Sequence, residues 1–425
     1  MGSGEGRLSA VAPPLEKGVT ARLRVAYVMS RFPKITETFV LHEMLALEEL
    51  GAEVEVYPLL REVEKVAHDE ARALVERAHY TPWISGAIVA SHLHFLARAP
   101  FTYVRTLAAV LARTVKSPNY LGGALVFWPK IVHMARSMQR QGVEHLHAHF
   151  ANHPALAALI VHRLTGIPYS FTAHGSDLHV DQTALGWKLS EAEFAVTVSN
   201  YNKEFVRERA GDAAADKLRV IHCGVDGSLY TREREPLGTV LEILCIAALR
   251  EVKGHRHLID ACQLLKSRGR PFHLHLVGGG PLERKIREHV SAAGLSTEVT
   301  MHGPLEKQRL IARLRAAHVL VLPSILDREG RREGIPVTLM EAMSCGLPVV
   351  TSRISGIPEL VEHERSGLLV PPGDAAGIAA ALERLADSSD LRRELGEAAR
   401  ARVQAEFDLR DGARRLAREI LAHRR

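Results

Sequence analysis

Short apolar runs alternate along this chain with longer segments of helical spacing, from Arg22 onward. Such alternation is typical of βαβ units and parallel sheets. Apolar runs predict a first series of strands at 22–29, 53–59, 143–149, 168–174, 194–199 and 218–224. After a polar stretch at 231–238, a second series follows at 241–247, 272–278, 296–303, 318–323 and 347–352. Helices are predicted at about 37–50, ending before Gly51, and then at 255–268, 281–293, 306–316 and 375–388.

The two series predict an α/β protein with two successive doubly wound domains. We expect a flexible tail at 1–21, an N-terminal domain at 22–228 and a C-terminal domain at 229–404. A final helix at 405–425 is expected to pack back toward the N-terminal domain. Because open parallel sheets bind ligands beyond the carboxyl ends of their strands, we expect a cleft between the two domains.

Composition supports a folded chain in a reducing compartment. The hydrophobic fraction of 46% and the charged fraction of 24% over 425 residues exclude a disordered or collagen-like protein. The four cysteines are widely spaced, which argues against a disulfide framework and a structural zinc site. The first residues lack the apolar core of a signal peptide, and no apolar run is long enough to cross a bilayer. We expect a cytoplasmic protein, at most peripheral on the inner face of the plasma membrane.

The segment 77–143 contains no Asp or Glu. It carries eight cations together with Trp83 and Trp128: Arg77, Arg98, Arg105, Arg113, Lys116, Lys130, Arg136 and Arg140. Helices with cationic and aromatic faces bind anionic membrane interfaces, so we expect contact with such a surface or with an anionic acceptor. The alternative is an inserted helical pair whose apolar faces are core and whose arginines are solvated. The net charge of +6 comes without a nucleic-acid motif, so no nucleic acid is expected as a partner.

The region 327–361 carries the densest candidate chemistry. Seven residues separate Glu333 from Glu341, and a helix is predicted from about Val337 to Cys345. A helix N-terminus offers unpaired N–H groups that suit a phosphate, and flanking carboxylates can accept hydrogen bonds from sugar hydroxyls. The alternative is a solvated helix that carries two ordinary glutamates.

The run EGIPVTLME (333–341) resembles the Glu-x7-Glu signature of retaining GT-B-fold glycosyltransferases of family 4. The segments at 355–361 and 366–374 continue that resemblance, which covers the chain from Arg24 onward. Three further segments, at 30–40, 147–155 and 171–178, resemble a subgroup that builds exopolysaccharide and lipid-linked glycans. The family fold is GT-B, with two Rossmann-like domains facing each other across a cleft.

The resemblance implies a donor site in the C-terminal domain. Glu341 would bind the nucleotide ribose and Glu333 the transferred sugar, while Lys253 would neutralise the phosphates. The partner arginine of the family is Ala248 here, and Arg250 lies close enough in sequence to replace it. The remaining predicted donor contacts are Gly334, Ile335, Val337 and Leu339 around the helix start, and Gly279 and Gly280 in the loop after 272–278.

Histidines and one helix start supply the predicted N-terminal side of the cleft. His149 matches the histidine of the family's H-x-H pattern, which contacts the donor sugar, and it ends a predicted strand. His174 and Asp177 follow the next strand, and Glu37 with Thr38 opens the first helix. These four we expect on the acceptor side. Structural roles at strand ends are the alternative for both histidines, and neither is expected to bind a metal.

The resemblance therefore implies transfer of a sugar from a UDP- or GDP-sugar to a hydroxyl of a glycan or lipid-linked acceptor. It also implies retained anomeric configuration and no metal or other cofactor, with Glu333, His149 and Lys253 as the catalytic residues. An NAD-dependent dehydrogenase is nearly eliminated, because VMSRFPKITE (28–37) has no glycine after the first strand. A non-catalytic nucleotide-sugar-binding subunit stays open because of Ala248.

Overall fold

A computed structural model of the chain describes residues 23–34, 37–62, 71–231 and 240–424. The predicted tail at 1–21 lies outside the described residues, as does most of the polar stretch at 231–238.

Two six-stranded parallel sheets form the framework of the molecule. The first has the order β2-β1-β3-β4-β5-β6 and the second the order β12-β11-β10-β7-β8-β9. Strands of the first sheet are β1 (Arg24–Phe32), β2 (Glu53–Arg61), β3 (His145–His149), β4 (Tyr169–Ala173), β5 (Phe194–Thr197) and β6 (Leu218–Val220). Those of the second are β7 (Leu241–Ile246), β8 (Phe272–Val277), β9 (Val299–Gly303), β10 (Val319–Leu322), β11 (Val349–Ser352) and β12 (Leu368–Val370).

Helices cover both faces of each sheet, as parallel strands require. Around the first sheet they are α1 (Thr38–Glu49), α2 (Arg72–Arg77), α3 (Gly86–Arg98), α4 (Pro100–Thr114), α5 (Pro118–Arg140), α6 (His153–Thr165), α7 (Ser176–His179), α8 (Leu185–Glu191), α9 (Asn200–Ala210) and α10 (Asp212–Asp216). The later helices are α11 (His255–Ser267), α12 (Glu283–Ala292), α13 (Lys307–Ala316), α14 (Val337–Ser344), α15 (Ile357–Leu360), α16 (Ala375–Asp387), α17 (Ser389–Glu406) and α18 (Leu409–Ala422).

Each predicted strand is present, and the central ones are buried on both faces. All residues of β4 and β10 are buried, and β10 reads as a continuous apolar run, whereas β4 also buries Ser170 and Thr172, which pair with His147. The prediction missed β12, because its three residues lie inside a segment that was interpreted only as part of a motif. It also made β6 too long, since the strand ends at Val220.

The acid-free segment folds into α3, α4 and α5 rather than a helical pair. The inner faces of these helices join the core beneath the first sheet, through Phe95, Val110 and Ile131 among others. Lys130 belongs to this buried side: its Nζ donates to the Leu59 carbonyl at 2.6 Å and lies over the Trp83 ring. The predicted cationic face therefore lacks Lys130. No helix in the described part of the chain has the length and apolar character needed to cross a bilayer.

Contacts between the two halves fix how the sheets face each other. Helix α18 returns from the second half and packs on α1, with Leu416 and Ile420 buried in the core of the first sheet. A second contact involves Glu359 of α15, whose carboxylate accepts from the Asn200 and Tyr201 amides at 2.8 and 2.9 Å. This carboxylate caps the N-terminus of α9, where a negative charge is favoured.

Candidate active site

The loops at the carboxyl ends of the two sheets touch at Gly334. An added Cβ at this residue would stand 2.4 Å from the carbonyl oxygen of His174, which lies at the end of β4. Only glycine permits so close an approach. The loop before α14 and the loop after β4 therefore meet directly, and the predicted donor and acceptor sides share one cleft.

Lys253 and Glu333 form an ion pair at this meeting point. The Lys253 Nζ lies 2.7 Å from the Glu333 carboxylate, and the two side chains are 18% and 16% exposed. Lys253 ends a short 3-10 turn (Glu251–Lys253) that follows β7, whereas Glu333 precedes α14. The structure thus brings two of the three predicted catalytic residues into contact although they are far apart in sequence.

Helix α14 starts at Val337, directly after Pro336, and has no acidic residue in its first turn. The first N–H groups of a helix lack partners within it, so this terminus offers donors beside the Lys253–Glu333 pair. The Leu339 amide is an exception, since it already donates to the Pro336 carbonyl at 3.1 Å. The side chains of Ile335 and Leu339 are buried in the core, so only the backbone of these residues can serve a ligand.

Glu341 lies one turn inside α14, away from the ion pair. Tyr230 donates its hydroxyl to Glu341 Oε1 at 2.8 Å. Burial raises the pKa of Glu341 to about 7, and the bond from Tyr230 opposes that rise only in part. The group therefore changes charge near neutral pH.

The glycine-rich loop after β8 packs on the segment that follows β7. Gly280 has φ +157°, and an added Cβ would stand 2.7 Å from the Leu249 carbonyl oxygen. An added Cβ at the neighbouring Gly279 would stand 3.2 Å from the Pro304 ring. These glycines let the loop after β8 pack closely against the segment after β7, which carries Lys253. Arg250, on the same segment, has an exposed side chain, and Ala248 is half-buried.

His149 is completely buried, so its side chain does not line the cleft directly. Its Nε2 lies 3.0 Å from Glu43, and its Nδ1 lies 3.0 Å from His174 Nε2. Tyr27 donates its hydroxyl to the same Glu43 carboxylate at 2.7 Å. Burial would raise the pKa of Glu43, but the charge and hydrogen bond of His149 bring it down to about 2. His149 thus lies behind His174 rather than on the cleft surface.

Glu43, His147 and His149 together offer ligand-type atoms within 4.8 Å of one another. The nitrogens of His147 lie within hydrogen-bonding distance of Ser170 and Thr172, at 2.8 and 2.9 Å. His147 and His149 are completely buried, so solvent does not reach their nitrogens, and we interpret the set as a hydrogen-bond network beneath the cleft.

His174 is the imidazole that borders the cleft. Its ring lies between those of Phe39 and Phe150, each 4.7 Å away between centroids. Asp177, predicted on the acceptor side, is buried and accepts from the backbone amides of Ala151, His174 and Gly175 at 2.7, 3.0 and 2.8 Å. Its carboxylate therefore holds the loops after β3 and β4 in place instead of facing an acceptor.

Glu37 and Thr38 start α1 on the N-terminal side of this cluster. Glu37 forms an ion pair with Lys34, and both Glu37 and Thr38 are half-buried. The next residue, Phe39, is the one that contacts His174, so this helix start lies close to the predicted acceptor side.

Four residues of the site were missed by sequence reasoning: Tyr27, Phe39, Glu43 and Tyr230. Phe39 and Glu43 are four residues apart on α1 and therefore share one helix face. That spacing was visible, but a glutamate on an amphipathic helix ordinarily faces solvent, so nothing marked it as a partner of His149. Tyr230 lies in the connection between the domains, where no pattern pointed to Glu341.

Comparison with known proteins places both halves of the chain in transferase families. Residues 36–229 match the model described as Glycosyltransferase Family 4, and residues 231–402 match Glycosyl transferases group 1. A putative colanic acid biosynthesis glycosyltransferase, WcaL of Salmonella typhimurium, is 31% identical over 93% of this chain and 98% of its own length. The amylovoran biosynthesis glycosyltransferase AmsK of Erwinia amylovora is 40% identical over 49% of this chain and 51% of its own length.

Solved structures agree on the fold. Anabaena Alr3699/HepE, crystallised in complex with UDP, covers 94% of this chain with a TM-score of 0.70 at 16% identity. The predicted architecture of two Rossmann-like domains across a cleft is thereby confirmed. The chain belongs to the group 1 glycosyltransferases and has the GT-B fold.

Proposed function

We propose that this transferase moves a sugar from a nucleotide diphosphate sugar to a hydroxyl of a glycan or lipid-linked acceptor. The observation that carries the proposal is the Lys253–Glu333 pair at 2.7 Å, beside the start of α14 and at the contact between the two domains. A cation, a helix N-terminus and a carboxylate in one cleft suit the phosphates and the hydroxyls of such a donor.

The ion pair would change partners when the donor binds. The diphosphate would compete with Glu333 for Lys253 Nζ, which frees the Glu333 carboxylate to accept from hydroxyls of the sugar. Lys253 and the amides at the start of α14 would then stabilise the charge that grows on the leaving phosphate. His174, held by His149 and Glu43, would help to orient the sugar from the opposite side.

The names of similar proteins support a nucleotide-sugar donor and an exopolysaccharide product. HepE was crystallised with UDP and with UDP-glucose, which supports a nucleotide-sugar donor here. AmsK and WcaL are named for amylovoran and colanic acid biosynthesis, so we propose a role in exopolysaccharide assembly. The nucleobase of the donor, uracil or guanine, is not specified by these residues, because they would contact only the phosphates and the ribose.

We also propose that the anomeric configuration is retained and that no metal takes part. The leaving phosphate would take the proton of the acceptor hydroxyl as the new glycosidic bond forms on the same face. Proton NMR of the first product reads the configuration directly, and assays in excess chelator test the metal independence.

Transfer is tested with radiolabelled UDP-glucose and GDP-mannose against lipid-linked oligosaccharides extracted from exopolysaccharide-producing cells. We expect incorporation of label from one of the two donors, and its loss in Glu333→Gln. Glu283→Gln is the matched control, because Glu283 is an exposed glutamate on α12 that pairs only locally with Arg287. Binding of the donor without incorporation in any extract would instead favour a non-catalytic subunit, the candidate that Ala248 and the exposed Arg250 keep open.

We further propose that helices α3 to α5 dock on an anionic membrane at the cytoplasmic face. Among the described residues, ten of the thirteen exposed large hydrophobic side chains lie between Trp83 and Val126. Ile84 and Phe101 are 90% and 89% exposed. On α3, Val89 and Leu93 are one helical turn apart and form an apolar stripe.

The charges around this stripe fit an anionic surface. Arg98, Arg105, Arg113 and Lys116 are exposed on α3, α4 and the turn after α4, and no acidic residue interrupts them between 77 and 143. Apolar insertion together with basic side chains is the usual way for a peripheral protein to hold a membrane. A lipid-linked acceptor would then meet the cleft from the bilayer.

Co-sedimentation with vesicles tests the membrane proposal. We expect binding to phosphatidylglycerol-containing vesicles and weaker binding for a triple variant that replaces Arg98, Arg105 and Arg113 by Gln. An Ile84→Ser, Phe101→Ser variant should also bind less, whereas Arg284→Gln with Arg287→Gln on the distant helix α12 should bind as the natural chain does. Unchanged sedimentation of both test variants would refute the proposal.

A further inference from the structure

The second sheet gathers imidazoles at the end that faces away from the cleft. Glu242 and His273 are the second residues of β7 and β8, and they lie opposite each other in the parallel register. His275 follows two residues later on β8, so its side chain lies on the same face as His273. His302, on the edge strand β9, completes the group.

These side chains already contact one another. His275 Nε2 lies 2.8 Å from Glu242 Oε2, and His275 Nδ1 lies 2.9 Å from His302 Nε2. The rings of His273 and His275 are 4.6 Å apart between centroids. Glu242, His273 and His275 each offer a ligand-type atom, and these three atoms lie within 4.8 Å of one another.

We propose that Glu242, His273 and His275 bind a divalent transition metal ion, and that Zn²⁺ is the ion this set of ligands favours. Two imidazole nitrogens and one carboxylate oxygen are ligands of the type zinc prefers, with bonds of about 2.0–2.2 Å. Neighbouring strands hold all three side chains on one rigid face, so the ligands need only small side-chain rotations to meet an ion.

His302 supplies the hydrogen-bond acceptor that a metal-binding His275 needs for its second ring N–H. A metal-binding histidine ordinarily donates its second ring N–H to a hydrogen-bond acceptor, which fixes the tautomer of the ligand. With Nε2 of His275 on the ion, Nδ1–H would donate to His302 Nε2, along the contact that the structure already shows. The neutral imidazole of His275 would change tautomer as the metal–nitrogen bond forms: Nε2 gives up its proton to solvent, Nδ1 takes one up, and His302 carries its own proton on Nδ1.

Solvent access and the neighbouring positive charges determine how this site would bind an ion. The side chains of His275 and Glu242 are 12% and 32% exposed, so an ion can reach them from solvent. Arg309 and Arg313 of α13 line the same cavity as His302, and their charges oppose a bound cation. Binding would therefore depend on the imidazoles rather than on an excess of acidic groups.

The site is separate from the proposed reaction. It lies at the start of β7 and β8, whereas Lys253 follows the opposite end of β7. A bound ion would link β7 to β8, at the end of the sheet away from the cleft residues. The proposal therefore stands or falls independently of the transferase assignment.

Metal titration of the full chain without an affinity tag tests this inference. After EDTA treatment and desalting, the protein is titrated with Zn²⁺ in competition with a chromophoric chelator, and the metal content after dialysis is measured by mass spectrometry. Because the chain has 23 histidines, the informative quantity is the difference between variants. We expect one equivalent fewer in His275→Gln and in Glu242→Gln than in the natural chain.

Two further measurements make the result decisive. His289→Gln is the matched control, because His289 pairs with Asp260 on other helices of the same domain, and it should keep the full equivalent. Co²⁺ should give visible absorption bands with nitrogen ligands in the natural chain and in the control, and lose them in His275→Gln. Equal stoichiometry and affinity in the natural chain and in both ligand variants, with circular dichroism showing folded protein, would overturn the inference.

Discussion

Two glutamates of the cleft region show how surroundings set the chemistry of one side-chain type. Burial raises the pKa of Glu341 to about 7, and the hydrogen bond from Tyr230 and the charge of Lys307 oppose that rise only in part. Glu43 is half-buried, and burial would raise its pKa, yet the imidazole of His149 and the hydroxyl of Tyr27 bring that pKa down to about 2. The first group is therefore poised to ionise when a ligand arrives, and the second is ionised at neutral pH.

The Glu341 environment predicts a pH-dependent affinity for nucleotides. Ribose hydroxyls donate to a carboxylate, so the ionised form is the binding form, and UDP affinity should fall as the pH drops through about 7. Calorimetric titration with UDP between about pH 6 and 8 measures this. The phosphates of UDP also titrate, so Glu341→Gln is the control, and it should show a flatter profile. An identical pH profile in both proteins would contradict a contact between Glu341 and the ribose.

Glu43→Gln should destabilise the fold at neutral pH by about 1–3 kcal/mol, because it removes a charged acceptor from two buried donors. The pKa of Glu43 is lower in the folded chain than the ordinary 4.5. Its stabilising contribution is thus present above about pH 4.5 and is lost as the pH falls toward 2. Urea unfolding at pH 7 and at lower pH measures the difference. Glu283→Gln serves as the control, and equal stability of Glu43→Gln and the natural chain at neutral pH would contradict the network.

Secondary structure elements could be predicted from the sequence where the pattern was local. The strands of both sheets produce apolar runs, and the helix from Val337 follows a clear start signal at Pro336. The strand β12 was missed because its three residues lie inside a segment that was interpreted only as part of a motif. The contacts of Glu43 with His149 and of Tyr230 with Glu341 could not be predicted, since each joins residues more than one hundred positions apart.

The loop that starts α14 has little room for a larger side chain at Gly334. In Gly334→Ala the new Cβ would clash with the His174 carbonyl, which forces the two cleft loops apart. Displacement of reacting groups by about 1 Å can cost about 100-fold in rate, so we expect a loss of that order in sugar transfer. Gly122→Ala on α5 is the matched control, because no heavy atom lies within 4 Å of its added Cβ.

Thermal unfolding of both glycine variants completes that prediction. Their melting temperatures should stay close to that of the natural chain, because the clash at Gly334 affects loops and not the core. Full transfer activity in Gly334→Ala would show that the contact with His174 is dispensable for the reaction.

At the scale of the whole molecule, the chain is two Rossmann-like domains whose facing loops supply one cleft. Helix α18 ties the second half to the first sheet, and Glu359 caps α9 across the domain contact. The sequence pattern could predict the two domains, because each sheet is built from consecutive elements. The contact between Lys253 and Glu333 could not be predicted from the sequence, because it depends on how the loops that follow β7 and β10 are placed relative to each other.

Calorimetric titration with UDP and with GDP, in the presence of chelator, tests the central claim most directly. We predict that one of the two nucleotides binds to the natural chain with one site per molecule. The affinity should fall at least about tenfold in Lys253→Ala, since a charged contact to phosphate is worth about 1.5–3 kcal/mol. Lys266→Ala, which removes an exposed lysine of α11 that pairs with Glu298, should bind normally. Failure of both nucleotides to bind the natural chain, or equal affinity in Lys253→Ala, would contradict a nucleotide diphosphate site at this cleft.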